Sequence, residues 1–203
     1  MAIEKDFFRQ VMGHFATGVT VVTTRSEKGL SGLTVSSFCS VSLDPPLVLI
    51  CVALNSQTLP YIRESGTFAV NILTDRQEHL SRCFATTSQE RYGHFCHASY
   101  HVAATGSPVL DGALAFIDTR VVAEYPGGDH VIFVGQVEAM GVDGQLAFAD
   151  GADEQLAGLS GYNGNVPLED KKAPLAYYRG EYRHLARDYQ RSSLAAYYDE
   201  KSD

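Results

Sequence analysis

The 203-residue chain, with a mass of 22.1 kDa, 45% apolar and 20% charged side chains, has the size and composition of one globular domain, which excludes a disordered chain, a collagen and a coiled coil. Its 16 basic against 24 acidic residues leave a net charge of −8, so it lacks the phosphate-neutralising excess on which nucleic-acid binding rests, and an anionic membrane would repel it. The longest apolar run, Pro45 to Leu54, is about half the length of a membrane span, and the opening Met-Ala-Ile-Glu-Lys-Asp lacks the pattern of a secretion signal.

Residues 6–15 predict a helix: Phe7, Phe8, Val11, Met12 and Phe15 fall near one face, with Asp6 as N-cap. The β-branched run 17–24 predicts a strand. Residues 32–43 alternate hydroxyl and apolar side chains and predict a second, ended by Asp44-Pro45-Pro46. Residues 47–54 predict a buried strand, 55–66 a short helix and 67–73 a strand. Asp75 is placed to cap a helix in which Leu80, Cys83 and Phe84 share a face. Residues 86–112 predict irregular structure. Two long strands, 113–125 and 130–142, are joined by Pro126-Gly127-Gly128-Asp129, a hairpin turn. Residues 143–173 predict a long surface excursion, 174–186 a returning strand and 187–203 a C-terminal tail, so one domain spans 1–186. About seven strands and a few short helices imply a mainly β architecture, either one antiparallel barrel or two sheets in a sandwich.

Four cysteines without a CxxC pair, in a chain large enough to fold without staples, predict reduced thiols and hence a cytoplasmic protein. There is no GxGxxG between strand and helix, no GxxxxGK[ST] and no GxSxG, so dinucleotide-fold, P-loop and hydrolase chemistry are not expected. Gly158, Gly161 and Gly164 form the nearest glycine cluster, but no strand precedes it. His94, Cys96, His97 and His101 match no common zinc spacing, so no metal is expected.

Hydroxyls are the positive signal. Thr34, Ser36, Ser37, Ser40 and Ser42 lie along one strand, and Asn55-Ser56-Gln57-Thr58 follows the next. Such donors suit the edge of a flat heterocycle and a phosphate tail, or else a solvated strand face and a helix cap. Arg82 and Arg91 can each fork onto a phosphate or simply face solvent. His130, after Gly127-Gly128-Asp129, is either a turn histidine or one fixed beside a pocket with Asp129 orienting it.

Taken in order, 15–24, TVSSF with SVSLDPPLVL (34–49), 65–73, GSPVLDGALAFID (106–118), GGDHVIFVGQV (127–137) and PLAYYRGEY (174–182) resemble the short-chain flavin reductases over most of residues 7–141 and again at 174–185. The resemblance implies an FMN-binding split barrel, usually a homodimer with flavin at the subunit interface. It also implies reduction of FMN or FAD by NADH or NADPH, commonly for a partner monooxygenase. It places Val35, Ser36, Ser37, Phe38 and Cys39 along the flavin ring, Ser56, Gln57 and Thr58 on the flavin tail, and Arg91 on its phosphate. His130 and Arg179, Gly180, Glu181 and Tyr182 fall where the family holds the nicotinamide nucleotide, with His130 the candidate for a direct effect on rate. Two departures stand out: the stretch 142–173 is longer than the link the family suggests, and Cys39 takes a ring-side position usual for other small residues. A non-enzymatic flavin-binding carrier or sensor would use the same barrel, and an oxidase of the pyridoxamine-phosphate type, of related architecture, would turn over without NADH.

Overall fold

The computed structural model describes residues 3–142, 145–149 and 173–184. Helix α1 (Lys5–Met12) opens the chain. Strands β1 (Thr17–Gly18), β2 (Thr20–Ser26), β3 (Gly29–Val35), β4 (Phe38–Leu43) and β5 (Pro46–Ala53) follow, then α2 (Leu59–Ser65) and β6 (Thr67–Ile72). A 3-10 turn at Asp75–Gln77 leads into α3 (Glu78–Ala85), and α4 (Gln89–His94) precedes a second such turn at Phe95–His97. The remaining strands are β7 (Tyr100–Val102), β8 (Pro108–Leu110), β9 (Ala115–Gly127), β10 (His130–Val142), β11 (Gln145–Phe148), β12 (Leu175–Tyr178) and β13 (Glu181–His184).

The main sheet runs β3-β2-β6-β9-β10-β5-β4, with β11 added on β10. Strands β3 and β4 are successive in the chain yet stand at opposite ends of this path. Three Cα steps separate Val35 from Phe38, a reach of at most about 11 Å, so the sheet must curl until its ends meet. The Cys51 N–H to Ser37 O bond of 3.3 Å carries the β4–β5 pairing up to that corner. No ladder joins β3 to β4, so the curl is a barrel split at the Ser36–Ser37 corner.

Alternation along the strands fills two apolar layers. Val22, Leu33, Ile50, Val52, Phe68, Val70 and Phe133 pack inside the curl with Leu59 and Ile62 of α2. Val19, Val21, Leu73, Leu80, Phe84, Phe95, Leu110 and Leu175 pack where α3 covers the outside. Buried Asn71 ties the β7–β8 hairpin to this wall: its amide donates to Val21 O at 3.0 Å, and its Oδ1 accepts the Leu110 N–H at 2.7 Å.

Several expectations need correction. The strand expected over 32–43 is two strands, because closure of the curl bends the chain at Ser36–Ser37. Residues 86–112 hold α4, β7 and β8: Ser88 caps α4 by accepting the Arg91 N–H at 3.3 Å. The strand expected over 174–186 is the hairpin β12–β13, turning at Arg179 (φ 53°) and Gly180 (φ 81°), a left-handed pair that glycine relieves. Asp6 does not cap α1; Glu4 precedes it, and Asp6 pairs with Arg9 at 2.9 Å. Asp75 lies inside its turn, where the Gln77 side chain accepts the Thr74 N–H at 3.2 Å. The excursion expected at 143–173 begins as β11, paired with β10 from Ala139 to Val142. The rest of that excursion, its glycine cluster and the tail lie outside the described residues.

The cysteines are not all reduced. Cys83 of α3 and Cys96 form a disulfide, leaving Cys39 exposed and Cys51 half-buried as thiols. Burial pushes the Cys51 thiol pKa up. The cytoplasmic expectation therefore loses its premise of four free thiols. Among the described residues, no helix is long and apolar enough to cross a membrane, and no group of three or more His, Cys, Asp or Glu side chains could hold a metal ion.

Candidate active site

At the split, β3 stops pairing and its end stands open. There Thr34, Val35 and Ser36 face Tyr177 of β12 and Tyr182 of β13 across a cleft of about 180 Å³, completed by Val19 and Ala85. A shallower groove of about 770 Å³ adjoins it along Ala85, Tyr177 and Tyr182, and adds Glu78, Arg82, Thr86, Gly180 and Glu181. The walls are aromatic and aliphatic with a few hydroxyls at the edge, a lining suited to a flat, polar-edged ring. The β12–β13 hairpin holds its place because the Arg179 N–H donates to Gly13 O at 2.8 Å, β1 pairs with β12, and Tyr177 meets Tyr182 edge to face at 5.4 Å.

A second polar cluster sits at the middle of β3. Thr58 is fully buried; its Oγ1 donates to Gly32 O at 3.3 Å and accepts from Ser31 Oγ at 3.0 Å. Its N–H donates to Ser56 Oγ at 3.3 Å. Arg91, only 7% exposed, reaches in from α4. Its Nε donates to Gly32 O at 2.9 Å, Nη1 to Thr86 O at 3.0 Å and Nη2 to Thr58 Oγ1 at 3.2 Å, and its guanidinium lies 4.7 Å from the Tyr92 ring centre. Among the described residues it has no carboxylate partner, and burial lowers its pKa from the ordinary arginine value. Three of its five N–H bonds are used, so two remain for a ligand. A buried cation without an anion fits a phosphate better than any neutral group. Gly32 and Val35 are three residues apart on β3, about 10 Å, so one extended strand carries both the cleft and the cluster.

His130 stands at the start of β10, half-exposed, with Nδ1 2.7 Å from Asp129 Oδ1. The histidine holds the Asp129 carboxyl below its ordinary pKa. In register His130 faces Ala53, whose carbonyl takes the Ser56 N–H, and the Leu54 N–H donates to Asp129 O at 3.0 Å. These contacts join His130 to the chain leading into Ser56–Thr58. It lines neither the cleft nor the groove, and it stands on a different sheet from Tyr182.

The expected residues thus fall in three places. Val35, Ser36 and Tyr182 share the cleft, with Gly180 and Glu181 on its groove. Ser56, Thr58 and Arg91 form the buried cluster. His130 lies at the hairpin end. Ser37 and Phe38 stay half-buried at the corner, where Ser37 Oγ donates to Cys51 O at 3.0 Å; Cys39, Gln57 and Arg179 are exposed. Arg82 lines the groove, paired with Glu78 at 2.6 Å and lying over the Tyr182 ring at 4.7 Å. Tyr177, Ala85 and Val19 were not anticipated. Reading Arg179-Gly180 as a two-residue turn would have set Tyr177 opposite Tyr182.

Residues 12–186 match the flavin reductase-like domain. The chain is 34% identical over 180 residues to the reductase subunit HsaB of a flavin-dependent monooxygenase from Mycobacterium tuberculosis, covering 89% of this chain and 82% of that one. It is 36% identical over 180 residues to an NADH-dependent flavin reductase from a Rhodococcus species, covering 87% and 84%. Among solved structures it resembles the NADH:FAD oxidoreductase SgcE6 of Streptomyces globisporus C-1027, determined with NAD and FAD fragments, at TM-score 0.72 and 31% identity over 92% of this chain and 96% of that one. With the split barrel, the open end of β3 and a match over most of its length, the chain belongs to the flavin reductase-like family.

Proposed function

We propose that the chain is an NADH:flavin oxidoreductase that reduces FMN or FAD for a partner monooxygenase. The observation that carries this reading is the cleft in which the Thr34–Ser36 end of β3 faces Tyr182 of the β12–β13 hairpin. One wall would hold the flavin ring along Val35–Cys39, and the other would seat the nicotinamide by Tyr182 and the turn Arg179–Glu181. Ser56, Gln57, Thr58 and Arg91 would hold the flavin tail and phosphate. Bound flavin supplies an N5 that accepts the nicotinamide C4 hydride directly. The chain's share is therefore to stack two rings near contact, exclude water and set donors at the ring edge, with no side chain needed as acid or base for the hydride.

A homodimer fits two observations. Phe7, Phe8, Val11 and Met12 of α1 are each more than half exposed, an apolar face without a partner among the described residues. Among the described residues, His130 lines neither the cleft nor the groove that holds Tyr182, and a second copy would bring His130 to the nicotinamide. A cytoplasmic location rests on the supply of NADH there and no longer on the thiols.

The test is anaerobic stopped-flow mixing of NADH or NADPH with protein and FMN or FAD, with the mass from light scattering. Flavin bleaching under NADH at a dimer mass is expected. Flavin binding without bleaching would make the chain a carrier, and a monomer mass with full activity would refute the dimer. His130→Ala should retain flavin affinity and lower kcat/KM for NADH by about ten- to a hundredfold; wild-type reduction rates would remove His130 from the site.

A further inference from the structure

Ser81 lies in the middle of α3, fully buried and outside the lining of the cleft. Both of its polar oxygens nevertheless reach the cleft walls. Its carbonyl accepts from Thr34 Oγ1 at 2.7 Å, and its hydroxyl shares a hydrogen bond with the Tyr182 hydroxyl at 2.7 Å. Thr34 belongs to the β3 wall and Tyr182 to the hairpin wall. These walls are in different sheets, with no ladder between them. Arg82, the next residue, lies over the face of the Tyr182 ring, and Tyr177 meets it edge on. One residue thus fastens to both walls at once.

We propose that Ser81 is a positioning residue for hydride transfer: a strut that sets the distance between the β3 wall and the Tyr182 wall, and with it the approach of nicotinamide to flavin. The inference rests on the cleft being where the two rings meet. Hydride transfer falls steeply with donor–acceptor separation, whereas binding of each nucleotide spreads over many contacts. Loosening the strut should therefore slow transfer more than it weakens binding. A hydroxyl pair of this kind stabilises by roughly 0.5–1.5 kcal/mol, a factor of about two to thirteen.

The test is a double-mutant cycle with Ser81→Ala and Tyr182→Phe. Single-turnover flavin reduction is followed at saturating NADH, flavin affinity by fluorescence quenching, and stability by urea unfolding without ligands. Each single variant should lower the reduction rate about threefold to tenfold while flavin affinity stays within about twofold. The double variant should be no slower than the slower single, and the urea data should show the same lack of additivity. Wild-type reduction in Tyr182→Phe, or additive losses in rate, would overturn the strut. If Ser81→Ala does not fold, Ser81→Cys, which keeps the size but weakens the hydrogen bond to Tyr182, takes its place in the cycle. Ala85→Trp separates the two levels of inference: Ala85 is exposed and lines the cleft, so the indole should obstruct it and abolish reduction. Wild-type reduction in Ala85→Trp would refute the cleft itself, whereas abolished reduction with an unaffected Tyr182→Phe would refute only the strut.

Discussion

Replacing Arg91 with alanine separates two roles that the buried cluster combines. The guanidinium donates to Thr86 O, Gly32 O and Thr58 Oγ1. Gly32 O keeps a second donor, Thr58 Oγ1 at 3.3 Å, so Arg91→Ala strands Thr86 O and leaves a void beneath α4. Hydrogen bonds from a charged donor contribute about 1.5–3 kcal/mol each. Against that, the variant no longer holds a cation out of water, the cost that lowers the Arg91 pKa. A net loss of about 2 kcal/mol follows, or about 4–8 °C in Tm for a chain of this length. The phosphate role is read separately, by comparing FMN with riboflavin. If the two unused N–H bonds meet the phosphate, FMN affinity should fall about tenfold or more beyond any fall for riboflavin. Differential scanning fluorimetry without ligand and fluorescence quenching with each flavin complete the assay. An Arg91→Ala protein that melts with the wild type would refute the structural role, and equal losses for FMN and riboflavin would refute the phosphate contact.

Alkylation of the native protein without reductant should label Cys39 first and Cys51 slowly, with Cys83 and Cys96 labelled only after reduction; reduction should cost about 3 kcal/mol of stability, as expected for a loop of this size, and four labels without reductant would contradict the disulfide. Gly135→Ala should lower the urea midpoint by the equivalent of about 1–3 kcal/mol, because its new methyl would stand 2.7 Å from Phe68 Cζ and 2.7 Å from Thr119 Oγ1; an unchanged midpoint would show that the β9–β10 register shift between Val134 and Gly135 gives way freely. Asp118 is fully buried, and desolvation raises its pKa above 3.8 despite bonds from Thr105. The folded state therefore binds this proton more tightly than the unfolded one, so its contribution is complete below pH 3.8 and is lost as pH rises through the folded value. Asp118→Asn should flatten that part of the stability profile, and an identical slope in the variant would remove Asp118 as its source.

The strands that build the inner core are legible because their composition is strongly β-branched or apolar. Residues 17–24, 47–54 and 67–73 carry β-branched or aliphatic residues that pack on one or both faces, and the Gly-Gly-Asp turn announced the long hairpin. Where the expectations failed, local pattern and tertiary closure disagreed. The alternation over 32–43 slips at the adjacent hydroxyls Ser36 and Ser37, but a local slip does not say that the strand leaves one end of the sheet and enters the other. That break follows from seven strands curling far enough to bring their ends together. Residues 86–112 lack periodicity because their order comes from a serine cap, the Cys83–Cys96 bridge and buried Asn71, each a contact between single residues.

The candidate site shows the same division between residue type and residue placement. Two arginines, Arg82 and Arg91, were equivalent as forked donors until their surroundings were known. Arg82 turned outward along the groove because Glu78, one helical turn earlier, holds it over Tyr182. Arg91 turned inward because Gly32 and Thr58, 59 and 33 residues away, present acceptors under α4. Side chains of one chemistry thus became a surface cation and a buried one through partners that no local window contains. Ser81 is the sharper case. In the sequence it is a serine inside an amphipathic helix, and helical serine ordinarily faces solvent or its own backbone. Its role arises only because α3 covers the split, so that its carbonyl and hydroxyl meet different sheets. A site built where two ends of a sheet approach each other depends on such bridging residues, and the flavin-reductase-like motifs, which mark the walls, do not mark what holds the walls apart.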